Sequence, residues 1–195
     1  MGGTFDPIHL GHLEAAAGAR DCAGLDLVLL VPAGVPPHRA GAVAPAGDRL
    51  AMCELAAREF HWLEVSPLEL RRDGPSYTLE TLRQLHAERP ADELSLILGW
   101  DAARDLNSWH QPQAVLRLAS LVVLRRPGLP APDVDAFREA GLDPSQTRLC
   151  AAPTPDIRAT EVRRLAAADR PLTGLVPDAV AGYIREHRLY GALGR

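Results

Sequence analysis

The sequence predicts a Rossmann-like α/β fold, a doubly wound parallel sheet with helices on both faces. Short, continuously apolar runs recur along the chain, which is typical of parallel strands that are buried on both faces. Helix-like segments separate these runs, and a glycine-rich segment, GGTFDPIHLGH, occupies residues 2–12. The 195 residues suffice for a single domain, residues 1–195, with a substantial core.

The predicted strands and helices alternate over the whole chain. Strands are expected at residues 25–31, 63–65, 94–98, 121–124 and 148–151. Helices are expected at residues 12–23, 48–60, 78–88 and 113–118, with two more near the C-terminus. The stretches 32–47 and 127–132 are rich in proline and glycine and are predicted to be loops, the first long enough to have a function.

The glycine-rich segment begins at residue 2, so no strand is predicted before it. In a Rossmann-like sheet the first phosphate-binding loop follows a central strand. Loss of that strand would leave backbone groups of its two neighbours unpaired, which is costly in a buried sheet. We therefore expect a start codon that was assigned too late, or a trimmed chain, and a fold that lacks the usual first strand at the N-terminus.

The composition argues against several classes of function. The formal net charge is -4, so the chain lacks the basic surface that nucleic acids or anionic membranes would need. No apolar run is long enough to span a membrane and the N-terminus does not resemble a signal peptide, so a cytoplasmic location is predicted. All 21 basic residues are arginine, so any side-chain cation at a phosphate other than histidine must be a planar guanidinium.

The three cysteines, Cys22, Cys53 and Cys150, are an odd number and form no CxxC pair. This pattern argues against a disulfide framework and against a cysteine-based metal site. We expect three buried thiols in a reducing compartment.

The glycine-rich segment carries two histidines, His9 and His12, that a helix would place one turn apart. Two imidazoles beside a helix N-terminus suit a polyphosphate, which needs hydrogen-bond donors and positive potential. Gly2, Gly3 and Gly11 would let the backbone approach the phosphates closely. Two other interpretations are ordinary surface histidines and a zinc-binding HxxH pair, although zinc would require a third ligand that the neighbouring sequence lacks.

This segment resembles the first signature of the nucleotidylyltransferase superfamily, in which an HxGH element binds the triphosphate of ATP or CTP. Within the superfamily, His9 is similar to the histidine of the nicotinate mononucleotide adenylyltransferases, whereas the phosphopantetheine branch usually has threonine there. The resemblance implies that His9 and His12 are the catalytic pair at the α- and β-phosphates, with His12 stabilising the developing charge. It also implies ATP contacts by four neighbouring residues, Gly3, Thr4, Phe5 and Gly11.

Residues 157–163 resemble the second signature of the same family, commonly I-S-[SA]-T-x-[IV]-R. Five positions agree and one departs from the pattern, because Arg158 replaces the usual serine. The resemblance implies that this helix start holds the β- and γ-phosphates through Ile157, Arg158, Thr160 and Arg163. Two points stay open: Arg158 either contacts phosphate or faces solvent, and Thr160 is also a candidate for helix N-capping.

Other segments resemble the parts of the family that bind the second substrate. Pro36-Pro37-His38-Arg39 is similar to a substrate-phosphate loop, which implies phosphate contacts by His38 and Arg39. Residues 74–78, GPSYT, are similar to the segment beside the nicotinate ring, so Tyr77 and Thr78 are candidates, while Ser76 or Thr78 is also expected to cap the next helix. Trp109 lies in a polar stretch and would stack on the pyridine ring.

Gly99-Trp100-Asp101 follows an apolar run, at the end of a strand where open α/β sheets bind ligands. It is similar to the GxD element of the family, which implies that Gly99 and Asp101 contact the ribose or phosphates of ATP. The alternative for Asp101 is that its carboxylate caps the following helix.

The resemblance implies adenylyl transfer from ATP to nicotinate mononucleotide, giving nicotinate adenine dinucleotide and pyrophosphate in NAD biosynthesis. No protein nucleophile is implied, and Mg²⁺ would be carried mainly by the ATP phosphates rather than by a protein metal site. Alternatives are a phosphopantetheine or nicotinamide mononucleotide adenylyltransferase, or a truncated nucleotide-binding protein without activity. The oligomeric state is left open, a homo-oligomer included.

Overall fold

Strands and helices alternate along the chain in a computed structural model that describes residues 1–35, 42–125, 132–151 and 155–191. The strands are Gly2–Gly3 (β1), Val28–Pro32 (β2), Leu63–Val65 (β3), Ser95–Gly99 (β4), Ser120–Leu124 (β5) and Thr147–Cys150 (β6). The α-helices are Leu10–Ala23 (α1), Ala46–Ala57 (α2), Thr78–Glu88 (α3), Trp100–Arg104 (α4), Pro112–Leu118 (α5), Val134–Glu139 (α6), Ala159–Ala167 (α7) and Asp178–Glu186 (α8). Two short 3₁₀ helices, Leu68–Arg71 and Leu106–Ser108, lie in the connections.

Every strand and helix predicted from the periodicity is present, with ends shifted by a few residues. Helix α1 begins earlier than predicted because His9, with extended backbone, takes the N-cap position. Periodicity predicted neither α4, expected only as the helix that Asp101 would cap, nor α6, since five or six residues are too few to show a helical period. None of the helices in the described ranges is both long and apolar enough to cross a lipid bilayer.

Within the described residues all the strands pair in parallel, in two sheets of three strands with the orders β1-β2-β3 and β4-β5-β6. In the second sheet Ile97 pairs with Val122, and Val122 pairs with Arg148. In the first, Val28 pairs with Leu63. Parallel pairing requires crossover connections, and the helices between successive strands supply them.

Helices cover both faces of these strands, as a doubly wound fold requires. Side chains alternate along β4 and β5, so Ile97 and Val122 join one core while Leu98 and Val123 join another. The first core also contains residues of β2 and of α1, α2, α7 and α8, and the second contains residues of α3, α4, α5 and α6. Because side chains of β2 and β4 share the first core, the two sheets lie side by side. The predicted α/β architecture is confirmed.

The expected lack of a first strand is wrong in part, because Gly2 and Gly3 themselves form β1. Gly2 pairs with Val31 and Gly3 with Pro32, and the Met1 ammonium donates a hydrogen bond of 2.8 Å to the carbonyl of Leu29. Strand β1 is too short to pair with β4. A cavity of about 1240 Å³ separates the edges of β2 and β4, and residues 25–29 and 94–98 are among those that line it. Burial in this gap lowers the pKa of the Met1 amino group to about 6.

The expectation of three buried thiols is wrong for two of the cysteines. Cys22, exposed at the end of α1, forms a disulfide with Cys150 at the end of β6. The two lie 128 residues apart in sequence, and they meet because α1 packs on β5 and β6. Cys53 is a buried free thiol as expected, and burial raises its pKa.

Candidate active site

The loop between β1 and α1 places the two signature histidines at the start of a helix. His9 precedes the first helical residue, and its backbone N–H donates to Nδ1 of His12 at 3.2 Å. When neutral, His12 must therefore carry its proton on Nε2, since Nδ1 acts as an acceptor. The hydrogen bond thus selects the tautomer in which His12 can donate through Nε2.

His9 supports His12 from the protein interior. Its side chain is 6% exposed, and its ring stacks on that of His12 with centroids 3.6 Å apart. Burial lowers the pKa of His9 to about 4, so this imidazole is neutral near pH 7. His9 can therefore offer hydrogen bonds and ring contact but not positive charge.

Glycines in this loop make room for rings and for a second segment of backbone. Phe5, which is buried, meets His12 edge-on at 5.1 Å, and a Cβ on Gly3 would lie 2.9 Å from the Phe5 ring. A Cβ on Gly11 would lie 3.1 Å from Nδ1 of His9 and 3.3 Å from the carbonyl oxygen of Pro155. The sequence predicts that these glycines make room for phosphates. In the structure Gly3 also makes room for the Phe5 ring, and Gly11 for the His9 ring and the Pro155 carbonyl.

The fold brings the second signature to the first, although about 150 residues separate them. Besides the approach of Pro155 to Gly11, the guanidinium of Arg163 donates from Nη1 to the carbonyl oxygen of Asp6 at 2.6 Å. Ile157 is half-buried against the first core. The starts of α1 and α7 are therefore neighbours, and the N-terminus of a helix favours anions.

Two other residues of the second signature face outward. Arg158 occupies the N-cap position of α7, where its side chain is 70% exposed and its Nε lies 3.5 Å from a carboxylate oxygen of Asp156. Thr160 is exposed in the first turn of the helix, so the N-capping role considered for it is wrong. Both side chains are accessible to a ligand at this helix start.

The GxD element lies where β4 ends, at the carboxyl edge of a parallel strand. Gly99 is exposed and takes the N-cap position of α4, and Asp101 follows in the first turn. The alternative role of Asp101 as the cap is therefore wrong. Ligands bind at this edge in open α/β sheets, so the position suits the expected contact with ATP.

Three of the expected substrate residues lie around the start of α3 and the turn before α5. Thr78 and Trp109, both half-buried, line the cavity that Gly2 and Gly3 also line. The ring of Tyr77 lies 4.6 Å from that of His110. His38 and Arg39 lie outside the described residues.

The predicted capping of α3 by Ser76 or Thr78 is wrong. Tyr77 takes the N-cap position without a side-chain cap, and Thr78 is already helical. The Ser76 hydroxyl is buried and accepts a hydrogen bond of 3.1 Å from the backbone N–H of Gly34. The Ser76 hydroxyl is therefore used in a contact with a distant segment, although serine often caps a helix.

Sequence reasoning missed three buried or half-buried polar residues that hold the loop, namely Asp6, Arg49 and Tyr190. Arg49, only 2% exposed, donates from Nη1 to the Thr4 carbonyl at 2.7 Å. Asp6 accepts hydrogen bonds from two backbone N–H groups and from the Tyr190 hydroxyl. The sequence contains one signal for these contacts, the carboxylate of Asp6 inside an apolar and glycine-rich motif. A carboxylate that is buried there needs hydrogen-bond partners from elsewhere in the chain.

The described part of the chain contains no group of three or more His, Cys, Asp or Glu side chains that could hold a metal ion. His9 and His12 thus have no third protein ligand there, and the zinc interpretation has no support from the geometry. Phosphate oxygens and water would have to supply most of the ligands of any divalent cation at this place.

Comparisons with known proteins agree with these features. The cytidylyltransferase-like family matches residues 1–165. A protein of Symbiobacterium thermophilum named "Probable nicotinate-nucleotide adenylyltransferase" is 44% identical over 196 residues, covering 97% of this chain and 93% of the relative. A relative of the same name from a Roseiflexus species is 44% identical over 192 residues, covering 97% and 96%.

Solved structures share the fold at much lower identity. The nicotinic acid mononucleotide adenylyltransferase of Plasmodium falciparum, complexed with NaAD, matches with a TM-score of 0.79 and 16% identity, covering 97% of this chain and 94% of that one. The same enzyme complexed with APC matches with a TM-score of 0.77 at equal identity and coverage. With the paired signatures and the sequence relatives, the conclusion is that the chain belongs to the cytidylyltransferase-like family and, within it, to the nicotinate-nucleotide adenylyltransferases.

Proposed function

We propose that this chain transfers the adenylyl group of ATP to nicotinate mononucleotide, giving nicotinate adenine dinucleotide and pyrophosphate in NAD biosynthesis. The observation that carries the proposal is the meeting of the two phosphate-binding signatures, where Gly11 lies against Pro155 and Arg163 bonds to Asp6. The relatives at 44% identity support the same substrate.

The reaction needs alignment and charge stabilisation rather than a protein nucleophile. An oxygen of the mononucleotide 5′-phosphate forms a bond to the α-phosphorus of ATP, and the bond from that phosphorus to the bridging α,β-oxygen breaks. The electron pair leaves with pyrophosphate. Both reactants are anions, so the site must offset their repulsion with donors that are already oriented.

His12 is the donor that we assign to the transferred phosphoryl group. Its Nδ1 is engaged by the backbone N–H of His9, so its Nε2–H would donate to an oxygen on the α-phosphorus as charge develops. His9, neutral and stacked on His12, would hold that ring in place and contact the β-phosphate.

The leaving pyrophosphate is assigned to the start of α7. Arg163 uses Nη1 for the Asp6 carbonyl and is 25% exposed, so its remaining N–H groups would serve the phosphates. Thr160, Arg158 and the first backbone N–H groups of the helix would add donors. The remaining ATP-side candidates are Gly3, Thr4, Phe5, Gly11, Gly99, Asp101 and Ile157.

The second substrate is assigned to the other end of the site. Trp109 would stack on the pyridine ring beside Tyr77 and Thr78, since a half-buried indole offers a flat apolar face. His38 and Arg39 would bind the 5′-phosphate of the mononucleotide. Mg²⁺ carried by the ATP phosphates would neutralise part of their charge.

Pyrophosphate release tests the proposal directly. The chain is supplied with ATP and Mg²⁺, and in turn with nicotinate mononucleotide, nicotinamide mononucleotide and phosphopantetheine, with the His12→Ala variant as background. Release that is fastest with nicotinate mononucleotide is expected. Faster release with another acceptor would assign a different substrate, and ATP binding without release would favour a nucleotide-binding protein without activity. The cytoplasmic location stays a prediction.

A further inference from the structure

The Asp6 carboxylate joins three segments that lie far apart in the sequence. It is 5% exposed and lies three residues before His9. Its Oδ2 accepts from the backbone N–H of Val43 at 2.7 Å, and its Oδ1 accepts from that of Ala44 at 3.1 Å. The Tyr190 hydroxyl, 184 residues further along the chain, donates to the same Oδ1 at 2.8 Å.

Tyr190 is a dependable donor to this carboxylate. It follows α8, with a backbone φ of 63°, and its side chain turns inward to reach Asp6. Burial, and then the hydrogen bond and charge of Asp6, raise the pKa of the Tyr190 hydroxyl, so it keeps its proton at neutral pH. The C-terminal part of the chain is thereby attached to the loop that precedes the histidines.

Two arginines attach to the same loop. Arg163 donates to the Asp6 carbonyl at 2.6 Å and lies 4.0 Å from its carboxylate, while Arg49 donates to the Thr4 carbonyl at 2.7 Å. Arg163 is also the cation assigned to pyrophosphate. Asp6 belongs to the loop of the histidine pair. Its carboxylate is held by two backbone N–H groups and by the Tyr190 hydroxyl, and its carbonyl accepts from the arginine assigned to pyrophosphate.

We propose that Tyr190 is a positioning residue for adenylyl transfer, which through Asp6 fixes the loop that presents His9 and His12 to the phosphates. The inference rests on the proposed function. Without the hydroxyl, a buried carboxylate loses a donor, and the loop loses one of the contacts that anchor it. A small displacement of the two imidazoles then slows the reaction far more than it weakens substrate binding.

The test compares Tyr190→Phe with a matched control in the same helical region. Tyr183 on α8 also donates its hydroxyl to an aspartate, Asp48 at 2.9 Å, and this bond does not involve the loop. We expect Tyr190→Phe to lower kcat by about tenfold or more, with KM for both substrates changed about twofold or less. Tyr183→Phe should retain the kinetics of the parent chain. Equal kinetics in the two variants would overturn the proposal.

A double-mutant cycle shows whether Tyr190 acts through Asp6. Asp6→Asn keeps one acceptor oxygen but cannot serve all three donors and loses the charge. If the two residues act as one unit, the double variant should be about as slow as Asp6→Asn alone. If the reductions in kcat of the two single variants multiplied in the double variant, Tyr190 would not act through Asp6.

The imidazole proton signals of His9 and His12, measured by NMR without substrate, separate this inference from the proposed function. We expect these signals to shift in Tyr190→Phe and to stay in place in Tyr183→Phe. If the parent chain showed no transfer, the proposed function would fail while the signals still tested the link. Unchanged signals in Tyr190→Phe would overturn the link even in an active enzyme.

Discussion

Burial and hydrogen bonding determine what each histidine at this site can do. Neutral His12 carries its proton on Nε2 because the backbone N–H of His9 donates to Nδ1. His9 is kept neutral by burial and is used as a stacked support. The same residue type therefore fills two roles because the two rings differ in exposure and in hydrogen bonding.

Replacement of His12 tests its assigned role. We expect His12→Ala to lower kcat by more than about tenfold, a loss above about 1.4 kcal/mol in the barrier, because a donor to the transferred phosphoryl group is removed. The fold should persist, since this ring is half-buried. The measurement is pyrophosphate release beside thermal unfolding, with the exposed His86→Ala as control. Retention of more than about a tenth of the activity would remove His12 from this role.

Burial of His9 predicts a dependence of stability on pH. Its pKa falls from 6.5 to about 4 on folding, so the unfolded chain binds the proton more tightly. The contribution is fully present above about pH 6.5 and is lost as the pH falls toward 4, by at most about 3 kcal/mol. In urea unfolding between pH 5 and 7, the free energy of unfolding should rise with pH, with contributions from His9 and from the Met1 amino group. His9→Asn should reduce this slope, and the exposed His86→Gln should retain it. An equal slope in His9→Asn would contradict the buried, neutral state.

Secondary-structure elements bring the site together by their ends. The starts of α1 and α7 meet, and the end of β4 carries Gly99. The disulfide from Cys22 to Cys150 ties the far end of α1 to the strand that leads toward the second signature. A cross-link between these elements restricts both in the unfolded chain, which is the usual source of disulfide stabilisation.

A thiol count tests this arrangement of the cysteines. The denatured chain should show one reactive thiol, that of Cys53, in the absence of reductant, and three after reduction. Reduction of the folded chain should lower the free energy of unfolding by about 2–5 kcal/mol, since the bond closes a long loop. Cys53→Ser, which leaves the disulfide intact, is the control. Three thiols without reductant in a protein purified under air would show that the bond does not form.

The sheet as a unit is interrupted between β2 and β4. Strand β1 pairs with β2 over two residues only, and the cavity of about 1240 Å³ leaves the edge of β4 without a partner among the described residues. Unpaired backbone groups in a buried sheet are costly. The Met1 amino group, whose pKa is lowered by burial, lies at the same place.

An engineered extension ahead of Met1 tests whether this gap limits stability. Five residues that are rich in valine and isoleucine should pair with the free edges of β2 and β4. They should raise the melting temperature, because unpaired backbone groups gain partners. A glycine-serine segment of the same length is the control, because it has little tendency to form a strand. An equal melting temperature for the two extensions would show that the gap does not accept a strand.

The alternation of strands and helices, and with it the α/β architecture, followed from the sequence because apolar periodicity is a local property. The two signatures were recognised in the same way, since each is a short run with its own spacing. Contacts between distant residues depended instead on tertiary packing, which local sequence patterns do not encode. Examples are the pairing of Cys22 with Cys150 and the use of the Ser76 hydroxyl by Gly34 instead of a helix cap.

The hydrogen bond from Tyr190 to Asp6 is another contact that only tertiary packing decided. These contacts join residues from 42 to 184 positions apart, and no periodicity in the sequence relates such positions to one another. Composition and motif therefore determined which chemistry the chain carries. The burial of His9 and the anchoring of the histidine loop arose when distant segments packed together, because burial and long-range hydrogen-bond partners exist only in the folded chain.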